Sequence, residues 1–179
     1  MIDRVMTRLR NSPDFDNIVH FVISRTSSHE LGATKLNKVL WVADKMSWQD
    51  NEKSLTGLNS YKRMPKGPVP GPITPSLKRL KETGRIDEFS DPKYMGRLRM
   101  FRSLKEPDIE SLSGATVDYL MRAIAYVTPM TASQISEETH DAYWQELSDG
   151  DDMDIGAAAM VIGDMSVEEL DWARAQMAQ

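Results

Sequence analysis

The chain has 179 residues, 40% of them hydrophobic and 27% charged, values that suit one globular domain with a buried core and disfavour a disordered chain. It contains no cysteine, which excludes disulfides, thiolate metal sites and a cysteine nucleophile. It has neither a run of eighteen apolar residues nor a signal-peptide pattern, so we predict a soluble cytoplasmic protein with no membrane contact. The net charge of −5 conceals a basic middle, where residues 60–105 hold twelve Lys or Arg against four acids, and an acidic tail, where residues 137–179 hold twelve acids against one Arg.

The first predicted element is a core helix over residues 14–26. Apolar residues recur there at helical spacing, at Phe15, Ile18, Val19, Val22 and Ile23. His20 flanks this stripe, and we predict a structural and not a metal-binding role for it.

A second amphipathic helix is predicted to begin at Thr34, whose hydroxyl would serve as its N-cap. Its apolar stripe consists of Leu36, Val39, Leu40, Ala43 and Met46. Lys38 and Lys45 lie off that stripe, so we expect both side chains to be exposed.

A polar surface connection over residues 48–57 is predicted to lead into a short strand over residues 59–64, with Tyr61 and Met64 near opposite faces. The following residues, 65–75, contain five prolines, with Gly67 and Gly71 between them. Prolines fix φ and glycines allow dihedrals that other residues avoid, so we predict a stiff, shaped loop that needs both glycines.

After a helix over residues 76–83 capped by Gly84, a β-hairpin is predicted from the arms 85–89 and 96–102. Its second arm alternates apolar residues with Arg97, Arg99 and Arg102. This basic hairpin is either a wing that touches nucleic acid or a hairpin with one solvated face, and the second interpretation is favoured because no recognition helix precedes it.

A long helical region over residues 107–127, restarting at Ser113 or Gly114, is predicted to be the central buried helix. Thr131 and Gln134 form a capping box that opens the next helix, which we expect to run to about Thr139. His140 follows as a structural hydrogen-bonding residue, and Trp144 is expected to fill the core.

The segment 148–154 (SDGDDMD) is predicted to be a flexible acidic loop, without the residue pattern of a calcium loop. A second capping box and staple at residues 165–170 open a last, acidic helix over about 166–178. The prediction as a whole is a single compact domain over residues 1–179, with its core in about 14–162. It belongs to the α+β class and is mostly helical, with a small antiparallel hairpin and a Pro/Gly-rich loop.

Several of these segments, in this order, resemble the Panacea domain of the SocA-like antitoxin family. They are residues 34–44 (TKLNKVLWVAD), then Gly57, Tyr61 and the run 67–70 (GPVP), and downstream residues 130–140 (MTASQISEETH) followed by Trp144. The resemblance covers roughly residues 34–162. It implies the antitoxin of a type II toxin–antitoxin system, of a phage-associated family, that binds and neutralises a toxin protein encoded beside it. It also permits a role as a proteolytic adaptor that presents the toxin to a protease.

The expected partner is therefore a toxin protein, and we expect no cofactor, no metal and no enzymatic activity, because no nucleophile is paired with a base. A stiff loop loses little entropy on docking, and aromatic residues and arginine are typical interface anchors. The predicted partner-binding residues are Trp48, Tyr61, Lys62, Arg63, Lys66, Gly67, Pro68, Val69, Pro70, Arg97, Arg99 and Arg102. The alternative is a nucleic-acid-binding autoregulator of its own operon that uses the basic residues 60–105.

The charge asymmetry leaves three interpretations open. The basic middle could contact a partner or pair with the acidic tail, or both segments could be solvated faces. Partner contact is slightly favoured, because isolated surface ion pairs contribute little to folding.

Overall fold

The computed structural model describes residues 14–96 and 98–161, and the prediction of a mostly helical α+β domain is confirmed over these residues. The helices are α1 Phe15–Ser24, α2 Ala33–Asn51, α3 Ile73–Glu82, α4 Gly114–Val127, α5 Ala132–Glu138, α6 Ala142–Glu146 and α7 Ile155–Met160, with 3-10 turns at Pro92–Tyr94 and Ile109–Ser111. The strands are β1 Ser60–Met64, β2 Gly67–Val69, β3 Ile86–Ser90, β4 Arg99–Ser103 and β5 Asp152–Asp154. The acidic helix predicted over 166–178 and the predicted contact residue Arg97 lie outside the described residues.

The central element of the fold is α2, which packs against α1, α4, α5, α7 and strand β2. Its predicted stripe is buried at Leu36, Val39, Leu40 and Ala43, and Trp41 and Asp44 are buried as well, on other sides of the helix. The prediction that the 107–127 region is the central helix is wrong. Only one face of α4 is buried, whereas α2 is covered on several sides.

Three predicted boundaries differ from the structure, in which helices α2 and α3 are longer than predicted. Helix α2 begins at Ala33 with Gly32 as its N-cap, so Thr34 lies inside the helix and is not the cap. The same helix runs to Asn51, and Leu55 and Thr56 are buried after it, so residues 48–57 are not simply a surface connection. Helix α3 begins at Ile73, directly after Pro72, and not at Ser76.

A three-stranded antiparallel sheet has the order β2-β1-β5. Lys62 faces Val69 in the β1–β2 pair, and Tyr61 faces Met153 in the β1–β5 pair. Tyr61 and Met153 are both buried, and they attach the sheet to the core beside α2. The prediction of a flexible acidic loop over 148–154 is therefore wrong at its end, because Asp152–Asp154 is a paired strand.

The predicted basic hairpin is confirmed as the β3–β4 pair, in which Phe89 faces Met100 and Asp87 faces Arg102. An isolated bridge between Gly32 and Met100 joins it to the start of α2. Helix α1 packs against β4 and α3. The hairpin thus lies at the α1–α3 side of the molecule, on a different sheet from the strands that carry the Pro/Gly segment.

Candidate partner-binding site

Three segments far apart in the sequence meet around the side chain of Lys38. Its Nζ, on α2, donates a hydrogen bond of 2.6 Å to Oγ1 of Thr139, the residue that caps α5. The third segment is β2, where a Cβ on Gly67 would lie 1.6 Å from the same Nζ and 2.7 Å from the Thr139 oxygen. The central helix, the Pro/Gly segment and the end of α5 therefore form one continuous site.

Lys38 was expected to be exposed, and that prediction is wrong: 1% of the residue is accessible to solvent. The face of α2 that carries it is covered by β2 and α5, which the periodicity of one helix does not reveal. Burial lowers the pKa of Lys38 from 10.5 to about 7, since a charged amine loses its hydration there, and no described acid forms an ion pair with the amine that would oppose this shift. The Thr139 hydroxyl, which also donates to the carbonyl of Ser136, is its hydrogen-bond acceptor.

Lys45 is the second lysine that was expected to be exposed, and it is largely covered. Its side chain is 22% accessible, and its Nζ lies 4.0 Å from Oδ2 of Asp141. Burial lowers the pKa of Lys45, and the nearby Asp141 carboxylate opposes that shift.

Gly67 is the position in the Pro/Gly segment where only glycine fits. Its φ of +104° lies in the left-handed region, and its missing Cβ is what allows the Lys38 amine to approach. Gly71 does not share this requirement, since a Cβ there would meet no atom within 4 Å. The prediction that both glycines are needed is therefore supported at Gly67 alone.

A stack of three side chains continues the site from Thr139 toward the sheet. The imidazole of His140 lies on the indole of Trp144 with centroids 3.7 Å apart, and the guanidinium carbon of Arg63 lies 3.5 Å from the centroid of the Trp144 ring. Arg63 also forms an ion pair with Asp149. Trp144 is partly buried in this stack, so the expectation that it fills the core is wrong, although it packs against the core's edge.

His140 is expected to be a structural hydrogen-bonding residue, but its buried Nε2 has no hydrogen-bond partner among the described residues, and its ring is held by stacking on Trp144 instead. Burial, followed by repulsion from Lys38 and Arg63, lowers its pKa and keeps the ring neutral near pH 7. A neutral imidazole stacks on an indole without the cost of desolvating a charge. The backbone carbonyl of His140 accepts a hydrogen bond of 3.1 Å from Gln145, which ties it to α6.

A groove of about 480 Å³ opens beside this site, between the start of α2, the β1–β2 turn and the start of α3. We call it the proline groove because Pro65, Pro68 and Pro70 line it. Its remaining walls include Met64 and Val69, and its polar lining includes Asn37, Lys38, Lys62 and Lys66. It is the feature of this site that is both open to solvent and largely apolar.

The structure distributes the predicted partner-binding residues over several places. The proline groove is lined by Lys62, Lys66, Pro68, Val69 and Pro70. Arg63 lies in the stack with Trp144, and Gly67 contacts Lys38.

The two predicted aromatic anchors differ in how far the protein itself covers them. Tyr61 is 1% accessible, and its hydroxyl is turned into the core. Trp48 is partly buried against α7, where a Cβ on Gly156 would lie 2.7 Å from its ring. Tyr61 is therefore not available for contact with a partner, whereas Trp48 keeps part of its surface accessible.

The hairpin arginines form cross-strand ion pairs. Nε of Arg99 pairs with Glu88 at 2.5 Å, and Nη2 of Arg102 pairs with Asp87 at 2.6 Å. The interpretation in which they pair with acids after Glu137 is therefore wrong for these two residues. That interpretation holds instead on β1, where Lys62 pairs with Asp152 at 2.9 Å and Arg63 with Asp149.

A buried polar network lies under the sheet. The Asp44 carboxylate accepts hydrogen bonds from the backbone N–H of Thr56 at 2.9 Å, the Thr56 hydroxyl at 2.6 Å and the Tyr61 hydroxyl at 2.8 Å. Burial raises the pKa of Asp44, and the hydrogen bonds oppose that shift. The network fixes β1 and the preceding loop on α2.

Sequence reasoning missed Asn37, Lys38 and Thr139 as site residues. Lys38 and Thr139 both lie inside the motifs that carried the family resemblance, but nothing local shows that the two motifs touch. Two charged residue types of α2, Lys38 and Asp44, lie off its apolar stripe and are nevertheless buried. That combination, once known, indicates a helix surrounded on several sides.

Among the described residues, no group of three His, Asp or Glu could hold a metal ion. No helix in the described ranges is both long enough and apolar enough to cross a bilayer.

Comparison with known proteins gives one match. The family described as "Antitoxin SocA-like, Panacea domain" matches residues 36–145, which include Lys38, Arg63, the Pro/Gly segment, Thr139 and Trp144. No curated protein and no solved structure matches the chain.

Proposed function

Because the chain belongs to the SocA-like antitoxin family with a Panacea domain, we propose that it binds a toxin protein encoded beside it and blocks that toxin's activity. Membership of the family supports an antitoxin role in general. The observation that carries the more specific proposal is the proline groove, an open and largely apolar surface whose lining residues, apart from Ala33 and Thr34, lie within the family match.

The geometry of the groove suits protein recognition. Its prolines fix the backbone, and strand β2 is held on β1 by the register from Lys62–Val69 to Met64–Gly67. A surface that is already ordered loses little conformational entropy on binding, so more of the contact energy appears as affinity. Open apolar surface with a polar margin is characteristic of protein interaction sites.

We also propose that the chain acts by binding and not by catalysis. Lys38, the group at this site whose lowered pKa would suit a reactive amine, is 1% accessible and is held by Thr139. Its position supports a structural function under the groove. Presentation of the bound toxin to a protease would be an additional step after this binding.

Growth assays test the proposal directly. The product of the reading frame next to this gene is expressed alone and together with the chain in a bacterial host. We expect arrest in the first case and growth in the second, with a complex recovered by affinity purification. Relief of arrest without a complex, or arrest that the chain does not relieve, would contradict it.

The level of the toxin in the same cells separates two forms of neutralisation. An unchanged level with restored growth supports blocking by occupation, whereas a fall that depends on a host protease supports the adaptor function. A 20-base-pair duplex from the operon upstream region tests the nucleic-acid alternative. DNA binding that falls steeply with salt, without toxin binding, would favour that alternative.

A further inference from the structure

The lining of the proline groove has one sign of charge. The exposed residues Lys62 and Lys66 line it together with the buried Lys38, whose lowered pKa leaves it only partly charged near pH 7, and no acid is among its described lining residues. Lys66 is exposed and forms no ion pair with a described residue. Lys62 pairs with Asp152, but both side chains are about half exposed, at 48% and 64%. Such an exposed pair is weak and can be exchanged for another carboxylate.

The walls between these lysines are apolar. Met64 is 40% accessible although it is a large apolar side chain, and it lies beside Pro65 and Val69. Methionine adapts its shape to an incoming apolar group. The groove therefore offers contact to an apolar side chain next to positive charge.

One polar group at the groove lacks a partner. The side-chain oxygen Oδ1 of Asn37 is buried and accepts no hydrogen bond from any described residue. Buried acceptors in folded proteins are nearly always paired. When the Asn37 side chain turns toward the groove, an N–H group from a bound chain would satisfy this oxygen, and a peptide backbone supplies such groups at regular intervals.

From these three observations we infer that the proline groove takes an extended segment of the toxin in which an Asp or Glu stands next to an apolar residue. The carboxylate contacts Lys66 and Lys62, the apolar side chain packs on Met64 and Val69, and a backbone N–H donates to Asn37. This inference rests on the proposed function, because it names the chemistry of the toxin segment. A nucleic acid would match the charge but not the apolar walls.

Two groove variants and one matched control test the inference. Lys66→Glu reverses the exposed charge, and Val69→Glu places a carboxylate on the apolar wall. Lys78→Glu is the control, because Lys78 is 74% exposed on α3, pairs with Glu82 of its own helix and does not line the groove. Circular dichroism and melting temperature establish that each variant is folded.

Affinity for the toxin is then measured by calorimetry. We expect a loss of at least tenfold for Lys66→Glu and for Val69→Glu, and a change of less than twofold for Lys78→Glu. If all three folded variants bind the toxin as the wild type does, the inference is wrong and the proposed function stands. If the wild type does not bind the toxin, the proposed function fails instead.

A peptide library provides a probe that does not depend on the toxin. Random twelve-residue peptides are selected on the full chain, and each binder is synthesised with its Asp or Glu and with the corresponding Asn or Gln. We expect the selected peptides to carry an acid beside an apolar residue. Their affinity should fall tenfold when the acid is replaced by the corresponding amide, and by a similar factor when the chain carries Lys66→Glu. The inference is contradicted if no selected peptide loses affinity on Lys66→Glu. It is also contradicted if a 20-base-pair DNA duplex binds more tightly than the peptides and loses its affinity on Lys66→Glu.

Discussion

The amine of Lys38 and the hydroxyl of Thr139, 101 positions apart in the sequence, are joined by a hydrogen bond of 2.6 Å with Gly67 directly beside it. This contact connects the central helix, the floor of the proline groove and the cap of α5. A change at Lys38 or Gly67 should therefore be transmitted to the groove without any contact with a partner. The first two predictions concern these two residues.

Lys38→Met is expected to stabilise the fold near and below neutral pH. The folded-state pKa of about 7 lies below the ordinary 10.5, so between these values the unfolded chain binds a proton that the folded chain does not. The stability of the wild type therefore rises with pH across this window, and the full cost of burying the ammonium is present below pH 7. With about 1.4 kcal/mol per unit of pKa, the ceiling on that cost is about 5 kcal/mol.

Urea unfolding of both proteins at pH 6, 7.5 and 9 measures the effect of Lys38→Met. We expect the largest gain in stability over the wild type at pH 6 and a smaller gain at pH 9. A gain that does not depend on pH would show that the amine does not titrate in this window.

Gly67→Ala is expected to destabilise the protein for two reasons. The backbone φ of +104° at this position is unfavourable for alanine, and the new Cβ would collide with the Lys38 amine and the Thr139 hydroxyl. Backbone strain and overpacking together should lower the free energy of unfolding by about 2 to 5 kcal/mol. Gly71→Ala is the matched control, with open space and an expected change within about 0.5 kcal/mol. Equal unfolding midpoints in urea for the two variants would contradict the prediction.

Tyr61→Phe is expected to destabilise the fold by about 1 to 3 kcal/mol, because it removes a 2.8 Å hydrogen bond to the buried Asp44 carboxylate. Tyr126→Phe removes a comparable hydroxyl, at 3.2 Å from Glu138, but Tyr126 is 43% exposed. Water can replace that bond, so the control should change stability by less than about 0.5 kcal/mol. Thermal unfolding of the pair measures the difference, and similar losses would show that burial of Asp44 is not decisive.

Reversing Arg99 and Arg102 to Glu is expected to lower stability, because it sets like charges opposite Glu88 and Asp87 on the partner strand. The loss should be about 1 kcal/mol and should shrink in 1 M salt. Replacing both arginines by Gln gives the control, with the attraction removed and no repulsion added. If the charge-reversal variant is as stable as the wild type at both salt concentrations, these arginines lie on a solvated face and their ion pairs do not contribute to stability.

Glu88→Gln should reveal the same pairs through their pH dependence. The hydrogen bond from Arg99, then that from Lys81, holds the pKa of Glu88 at about 2, against an ordinary 4.5. A carboxyl with a lowered folded-state pKa contributes stability above its unfolded value and loses it as pH falls toward 2. The variant should thus be less stable than the wild type at pH 6, by about 1 kcal/mol after screening, and equal to it near pH 2. A difference that persists at pH 2 would point to packing instead.

Short-range patterns in the sequence predicted much of the fold correctly. The stripe of α1, the capping box of Thr131 and Gln134 and the β3–β4 hairpin all appear in the structure. Each depends on interactions between residues a few positions apart or across one turn. Such patterns can be read within one segment of the chain, so the sequence alone was sufficient to predict these elements, although their stability depends on packing.

The site depended on contacts that no local pattern contains. The stripe of α2 correctly identified its most apolar side, but whether Lys38 is exposed depends on β2 and α5 lying over it. Likewise, Asp152–Asp154 became a strand because β1, about ninety residues earlier, offered an edge to pair with. The sequence by itself determined the family and the elements that carry a strong local pattern. The tertiary structure decided that Asp152–Asp154 is a strand and which sides of α2 are enclosed, because strand pairing and exposure depend on what packs around a segment.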